Sequence, residues 1–160
     1  MSVQSHEAIT RTWLFDTTET PAREVYLLLQ HVAGAQVQEL AVLLRTAGIT
    51  PEQYHVLRVL RDAKTGGLAC SAVAERSVSG DPDVTRLLDR LERQGWVSRV
   101  RESSDRRVVT ARITNEGLRL LAGLEEPVAA LHAEQVRNLG TSHLATLRRI
   151  LETLADVRST

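Results

Sequence analysis

Between positions 84 and 113, the apolar residues of this chain change from a helical spacing to a strand-like one. The residues at helical spacing are Val84, Leu87, Leu88 and Leu91. This spacing predicts an amphipathic helix with a polar outer face. Residues 96–101 and 108–113 instead alternate apolar and polar side chains, and Gly95 separates them from the helix. They predict the two strands of a hairpin, with the turn residues 102–106 between them.

A shorter helix and a short strand are predicted just before this segment. Residues 68–70 predict a third strand that pairs with the hairpin, and Ser71 is the predicted N-cap of the helix. The inward side chains of that helix are Val73, Ala74 and Val78. Two helices joined by a turn and followed by a hairpin predict a winged helix-turn-helix over residues 49–114. This module places its second helix, the recognition helix, in the major groove of DNA.

Long apolar helices are predicted on both sides of this lobe. One begins at Pro21 and ends near Gly48, and the other two cover about residues 115–138 and 141–157. A monomer has no need of so much apolar helix, whereas a two-fold dimer buries it in an interface made from the same surface of each copy. A capping box at residues 50–53 predicts a further helix inside the lobe.

The predicted fold class is therefore mainly α (α+β), with about six helices and a small antiparallel β-wing. Residues 1–19 are predicted to be an N-terminal arm, and residues 20–160 a single domain. Within that domain, residues 20–48 and 115–160 are the predicted dimerisation helices.

Charge is unevenly distributed, although 20 basic residues balance 20 acidic ones. Residues 1–50 contain three arginines and five carboxylates, whereas residues 86–112 contain eight arginines and four carboxylates. A local excess of arginine is typical of a surface that binds phosphates. A helix surface covered by salt bridges is the alternative. The predicted partner is double-stranded DNA, and the rival hypothesis is a winged helix that binds an acidic protein.

Other function classes find little support in the sequence. The five histidines form no HExxH pattern and have no close spacing to the single cysteine. No glycine-rich phosphate loop or nucleophile elbow occurs, so we expect no enzyme activity, metal site or cofactor. A single cysteine excludes an internal disulfide. No uninterrupted apolar run reaches the length of a membrane span, and the N-terminus lacks a signal-peptide pattern, so we expect a cytoplasmic protein with no membrane partner.

Several short motifs together resemble the MarR family of bacterial transcription regulators. They are the run from Asp83 to Glu92, then Gly95-Trp96-Val97, Asp105-Arg106-Arg107 and Ile113-Thr114. The order of the helices fits as well, so the resemblance covers about residues 20–157. It implies a homodimeric winged-helix repressor, or in some members an activator, that binds a pseudo-palindromic operator. It also implies, for many members, release from DNA by a small aromatic or phenolic acid, and for others a response to cysteine oxidation.

The resemblance assigns DNA contacts to two parts of the lobe. On the recognition helix, Thr85 and Arg86 match positions that face the major groove, and Arg90 matches a phosphate or base-edge contact. At the tip of the hairpin, Asp105 is expected to orient Arg107 in the minor groove, and Arg106 to contact a phosphate. The remaining candidates for DNA contact are Ser71, Asp83 and Arg99.

Two carboxylates open the recognition helix on either side of Pro82. Asp81 and Asp83 complement the helix dipole, although they repel phosphates. They are expected either to read cytosine amino groups or only to cap the helix.

A ligand cleft is predicted between the dimerisation helices and the DNA-binding lobe. Its candidate polar contacts are His31, Tyr54, His55 and Arg58. Tyr54 and Arg58 are four residues apart and share a helix face, and their ordinary roles are packing and solvent exposure. Cys70 is predicted to be a core residue, with a redox switch as the alternative.

Overall fold

The computed structural model describes residues 20–63, 66–76, 84–101 and 108–156, and these contain six helices and three strands. The helices are α1 (Pro21–Arg45), α2 (Pro51–Asp62), α3 (Cys70–Glu75), α4 (Val84–Arg93), α5 (Asn115–Gln135) and α6 (Thr141–Asp156). The strands are β1 (Leu68–Ala69), β2 (Val97–Arg101) and β3 (Val109–Ile113). The predicted fold class is confirmed. The chain forms two compact units that divide between Val42 and Leu43.

Helix α1 is 25 residues long and leaves much of its apolar surface exposed in the protomer. It begins at Pro21 as predicted, and the chain leaves it through a turn at residues 46–48. The exposed apolar side chains of α1 are Val25, Tyr26, Leu28, Leu29, Val32, Val37 and Val42. Exposed apolar surface of this extent is typical of a surface that binds a partner.

The same helix corrects the expectation that no segment has the length and composition of a membrane span. A stretch of 18 residues within Pro21–Arg45 has a mean hydropathy of 1.3. The prediction considered only uninterrupted apolar runs, whereas polar residues such as Gln30 and His31 interrupt this helix without making it polar on average. Length and composition alone are weak evidence for a span, because apolar helices that are covered by protein meet the same criteria.

Helix α2 packs against three other elements of the larger unit, namely α3, β3 and α5. Its predicted capping box is present: Gln53 N donates to Thr50 Oγ1 at 3.3 Å, and Thr50 N donates to Gln53 Oε1 at 3.0 Å. Val59 is only partly covered. The buried residues of α2 are Gln53, Tyr54, Val56, Leu57 and Leu60.

The three strands form one antiparallel sheet in the order β1-β3-β2. Strand β2 pairs with β3 from Val97 opposite Ile113 to Arg101 opposite Val109. Strand β1 adds a short pairing on the other edge of β3, where Ala69 lies opposite Thr110. The predicted hairpin and its third strand are therefore present, with β2 and β3 each beginning one residue later than expected.

The start of α3 differs from the prediction at two residues. Cys70 opens the helix instead of ending the strand, and Ser71 is the second helical residue instead of the N-cap. Ala69 occupies the N-cap position, where no side-chain hydrogen bond is made. The physical reason is that Ala69 still pairs with Thr110, so the chain passes directly from strand to helix and Ser71 falls inside the first turn.

Thr114 joins the end of the sheet to the start of α5. Its Oγ1 accepts from Gly117 N at 3.1 Å, as expected of an N-cap, and donates to Gly95 O at 2.7 Å. Its backbone N–H donates to Trp96 O at 3.0 Å. Helix α5 ends at Gln135, three residues before the predicted end, and contains Pro127.

Candidate nucleic-acid interface

Helix α4 is amphipathic in the way that its sequence predicts. Its buried side chains are Val84, Leu88 and Leu91, whereas Leu87 is partly covered. The opposite face carries Thr85, Arg86 and Arg90, all of which are exposed. The helix packs against α3 and β2. Its outer face therefore presents a hydroxyl and two guanidinium groups on a helix whose inner face is fixed to the core.

The chain turns from α4 directly into the wing through Gly95. Gly95 has a φ of 75°, a left-handed conformation that glycine adopts without steric cost. Gly95 N donates to Glu92 O at 2.9 Å and Trp96 N donates to Leu91 O at 3.0 Å. This pair of bonds is a Schellman motif, which satisfies carbonyls at the end of the helix. The recognition helix and β2 are consequently joined by a short turn that these two hydrogen bonds hold in place.

The predicted turn of the wing and the two carboxylates predicted to open the recognition helix lie outside the described residues. Strands β2 and β3 are paired up to Arg101 and Val109, so the residues between them form the connection of the hairpin. The predicted DNA contacts Asp105, Arg106 and Arg107 lie in that connection, and Asp83 precedes the described start of α4. Their roles stay predictions, as do the two readings of Asp81 and Asp83.

Arg99, predicted to contact DNA, is bonded to α4. Its Nε and one terminal nitrogen both donate to Glu92 Oε2, at 2.9 and 2.6 Å. The same terminal nitrogen lies 2.6 Å from Asp89 Oδ1, and Arg99 N donates to Glu92 Oε1 at 3.2 Å. The hydrogen bond to Glu92 raises the pKa of Arg99 above its ordinary value despite partial burial. Ser71, by contrast, is an exposed residue of α3.

The four ligand candidates are in different surroundings. Tyr54 is buried, and the Arg58 guanidinium carbon lies 5.8 Å from the centre of its ring, within cation–π range. His55 Nε2 lies 3.1 Å from Arg76 O, so its N–H can donate a hydrogen bond to this carbonyl at the end of α3. His31 is exposed on α1. These contacts are internal to the protein, and the predicted ligand site stays a prediction.

Cys70 is half-buried at the junction of β1 and α3. Burial raises the pKa of its thiol, and the charge of Arg99 offsets this only in part. A reactive thiol needs the opposite shift, because the thiolate is the nucleophile. The environment of Cys70 therefore favours the structural role over the redox switch.

We expect Cys70 to react with a disulfide reagent such as DTNB more slowly in the folded protein than in the unfolded chain at about pH 8. The raised pKa leaves a smaller thiolate fraction, and partial burial limits access. The rate of the reaction of folded Cys70 with DTNB should increase at a higher pH than the rate for an ordinary thiol. Because folding favours the protonated thiol, its contribution to stability is present below the unfolded pKa and is lost as pH rises through the folded pKa. Equal rates in the two states would contradict this prediction.

Three contacts of the lobe could not be found from sequence spacing. They are the ion pairs of Arg99, the bond from His55 to Arg76 O, and the 2.8 Å ion pair between Arg61 and Glu125. Each joins different secondary-structure elements and so depends on the fold. Among the described residues, no group of three or more histidine, cysteine or acidic side chains could hold a metal ion.

Comparison with protein families gives a match to the MarR family model over residues 49–109. The transcriptional repressor MdtR of Bacillus subtilis is 34% identical over 94 residues, which are 59% of each protein. The multiple antibiotic resistance protein MarR of Escherichia coli is 33% identical over 108 residues, which are 65% of this chain and 72% of that protein.

Solved structures give the same result over most of the chain. A MarR transcription factor from Planctomyces limnophilus superposes with a TM-score of 0.67 and 35% identity, covering 84% of this chain and 98% of that one. A mutant of Escherichia coli MarR complexed with operator DNA gives a TM-score of 0.75 and 28% identity, covering 85% and 99%. These relatives are transcriptional regulators and not enzymes.

Proposed function

The chain belongs to the MarR family of transcriptional regulators, and on that premise we propose that it is a homodimeric repressor that binds a pseudo-palindromic operator. The observation that carries the proposal is the exposed outer face of α4, with Thr85, Arg86 and Arg90 beside the β2–β3 wing. Arginine and threonine at these positions can bind phosphates and base edges in a major groove. Asp105, Arg106 and Arg107 are proposed to contact the adjacent minor groove and backbone. As a regulator of transcription, the protein would act in the cytoplasm.

The proposed dimer is supported by apolar surfaces at both ends of the described chain. In α6 no residue is buried in the protomer. Its exposed apolar side chains, Leu147, Ile150, Leu151 and Leu154, recur at helical spacing and form one stripe. Helix α1 carries a second exposed apolar surface. A two-fold dimer that covers them would hold two recognition helices about 34–36 Å apart, the spacing of half-sites one turn apart.

Recovery of bound fragments from fragmented genomic DNA of the source organism tests the proposed function. The protein, in the presence of excess non-specific competitor, should enrich a set of fragments that share a pseudo-palindrome. The same fragments should shift in a gel and lose affinity steeply as salt increases. If no sequence is enriched, and an acidic protein is bound instead, the interaction-module hypothesis replaces this one.

Alanine at Arg86 or Arg90 is expected to weaken binding to the recovered operator by about 1–3 kcal/mol. Arg86→Ala should also reduce discrimination within each half-site, because its position faces the major groove. Fluorescence anisotropy with the operator and with half-site variants measures both effects. Arg119→Ala is the matched control, since it removes an exposed arginine from α5, outside the winged-helix lobe. If both arginine variants bind the operator with wild-type affinity and specificity, the outer face of α4 does not contact DNA as proposed.

A small aromatic or phenolic acid is the proposed class of effector. Arg58 and Tyr54 offer a cation and an aromatic ring on neighbouring turns of α2, a pair of groups suited to such an acid. An effector acts only through different affinities for two states of the protein. A panel of phenolic acids that changes neither the melting temperature nor the affinity for the operator would remove this part of the proposal.

A further inference from the structure

Arg99 connects the recognition helix to the edge of the sheet through two carboxylates. Asp89 and Glu92 are three residues apart on α4 and therefore lie on one flank of the helix. The guanidinium of Arg99, on β2, lies within 2.6 Å of both. Glu92 also accepts the backbone N–H of Arg99 through its other oxygen, at 3.2 Å. We call these contacts of Arg99 with Asp89 and Glu92 the Arg99 clamp.

The clamp differs from a common surface ion pair in its geometry. An exposed pair of single charges contributes little, because two flexible side chains must be ordered and water screens them. Here one guanidinium uses two of its nitrogens on two carboxylates, and its side chain is only 25% exposed, against 43% for Asp89 and 38% for Glu92. The backbone bond adds a fixed point, since β2 is an edge strand and Arg99 N would otherwise face solvent.

The charges of the clamp also argue against a direct contact of Arg99 with DNA. One guanidinium between two carboxylates leaves a net charge of about −1 at this flank of α4. A phosphate would have to compete with two carboxylate oxygens that are already at hydrogen-bond distance. Arg99 is therefore poorly placed to attract the DNA backbone, although it belongs to the basic segment 86–112.

We propose that Arg99 is a positioning residue of the DNA-binding site, which fixes the orientation of α4 against β2 through Asp89 and Glu92 and makes no contact with DNA. The turn through Gly95 fixes the end of α4 at Arg93, and the clamp adds a second attachment about one helical turn earlier, at Asp89. Two attachments restrict rotation of the helix about the turn, and the outer face of α4 is then held at a constant angle to the wing. This inference rests on the proposed function.

Two substitutions give different results under the two possible roles of Arg99. Glu92→Gln removes a negative charge, so it should strengthen DNA binding if Arg99 is a phosphate contact, because it frees that arginine. If the clamp positions α4, the same change should weaken binding about fivefold or more. Arg99→Lys keeps the charge and should preserve a phosphate contact, since an ammonium binds phosphate as a point charge. Lysine lacks the planar fork of arginine, so the clamp predicts a loss similar to that of Glu92→Gln.

The experiment uses the full chain and the DNA fragment recovered by the wild-type protein, with affinity measured over a range of salt. Matched controls are Glu75→Gln, which removes an exposed carboxylate from α3, and Arg101→Lys, which changes an exposed arginine two positions further along β2. Both controls should bind within about twofold of wild type. Neither clamp variant should change the slope of log affinity against log salt, whereas loss of a phosphate contact lowers it by about 0.9. Thermal unfolding confirms that each variant is folded at the temperature of the measurement.

The outcomes separate the clamp from the function on which it rests. Weaker binding by both Glu92→Gln and Arg99→Lys, with unchanged salt slopes, supports the proposal. Wild-type or tighter binding by Glu92→Gln overturns it, as does wild-type binding by Arg99→Lys. A wild-type protein that recovers no DNA fragment overturns the proposed function instead, and the proposed role of Arg99 is then rejected with it.

Discussion

Gly117→Ala is expected to destabilise the protein by about 3 kcal/mol, although alanine is the better helix former. A Cβ at Gly117 would lie 2.5 Å from Trp96 O and 2.8 Å from Ile113 Cγ1. Trp96 O cannot easily move away, because it accepts the backbone N–H of Thr114. Overpacking of this kind costs about 1–3 kcal/mol or more, and against backbone it should reach the upper end. The gain in helix propensity, about 1 kcal/mol, does not offset it.

Gly123→Ala in the same helix is the matched control. Apart from its chain neighbours and the backbone of its own helix, no heavy atom of the described residues lies within 4 Å of a Cβ built at Gly123. That substitution should stabilise the protomer by about 0.5–1 kcal/mol, since alanine loses less backbone entropy than glycine. Urea unfolding followed by circular dichroism measures both variants, and for a chain of this size Gly117→Ala should lower the melting temperature by about 10 °C. Equal or higher stability of Gly117→Ala would show that the junction of α5 and the sheet is not packed as described.

A second large effect is expected at Ile150 in α6. Ile150 is 51% exposed in the protomer and lies within the apolar stripe of that helix. A 16-residue helix without buried side chains is marginal on its own, so α6 is proposed to gain its stability in the dimer. Ile150→Glu would place a carboxylate in the interface and lose the burial of an isoleucine, which is worth about 1.5–3 kcal/mol. The dimer dissociation constant should rise at least about 100-fold.

Sedimentation at micromolar protein concentration and gel shifts with a two-half-site operator measure this effect. Loss of the dimer should also weaken operator binding strongly, because binding of one recognition helix then no longer places a second recognition helix at the other half-site. Ala145→Glu adds the same charge on the opposite side of α6, where residues are exposed and outside the stripe. That control should remain dimeric. If Ile150→Glu sediments as a dimer and binds the operator normally, α6 does not form the interface.

Local patterns were sufficient to predict most of the elements of this fold. The spacing of Val84, Leu88 and Leu91 predicts both α4 and its buried face, because helical period and burial are set by residues close in sequence. The capping box at Thr50 and Gln53 is likewise a local device. The family motifs then place these elements in a known order, and the fold follows from that order.

The errors arise where contacts between distant residues determine the local structure. Cys70 and Ser71 were misplaced because the pairing of Ala69 with Thr110 decides where β1 ends. The ion pairs of Arg99 with Asp89 and Glu92 could not be predicted either, because only the folded turn brings these three residues together. The basic stretch predicted from composition thus contains at least one arginine that is used internally.

Thr114 connects the recognition helix, the wing and α5 through three of its hydrogen bonds. It links Gly95, at the end of the recognition helix, and Trp96, beside the wing, to the first turn of α5 at Gly117. Gly117 packs closely on Trp96 and leaves no space for the two elements to move relative to each other. We therefore expect α5 and the DNA-binding lobe to tilt together as one rigid unit. In a two-fold dimer, a small change in the direction of the two α5 helices would then produce a larger displacement of the two DNA-binding lobes. The distance between the two DNA-binding lobes would then be determined at the dimer interface, and not by a conformational change within each lobe.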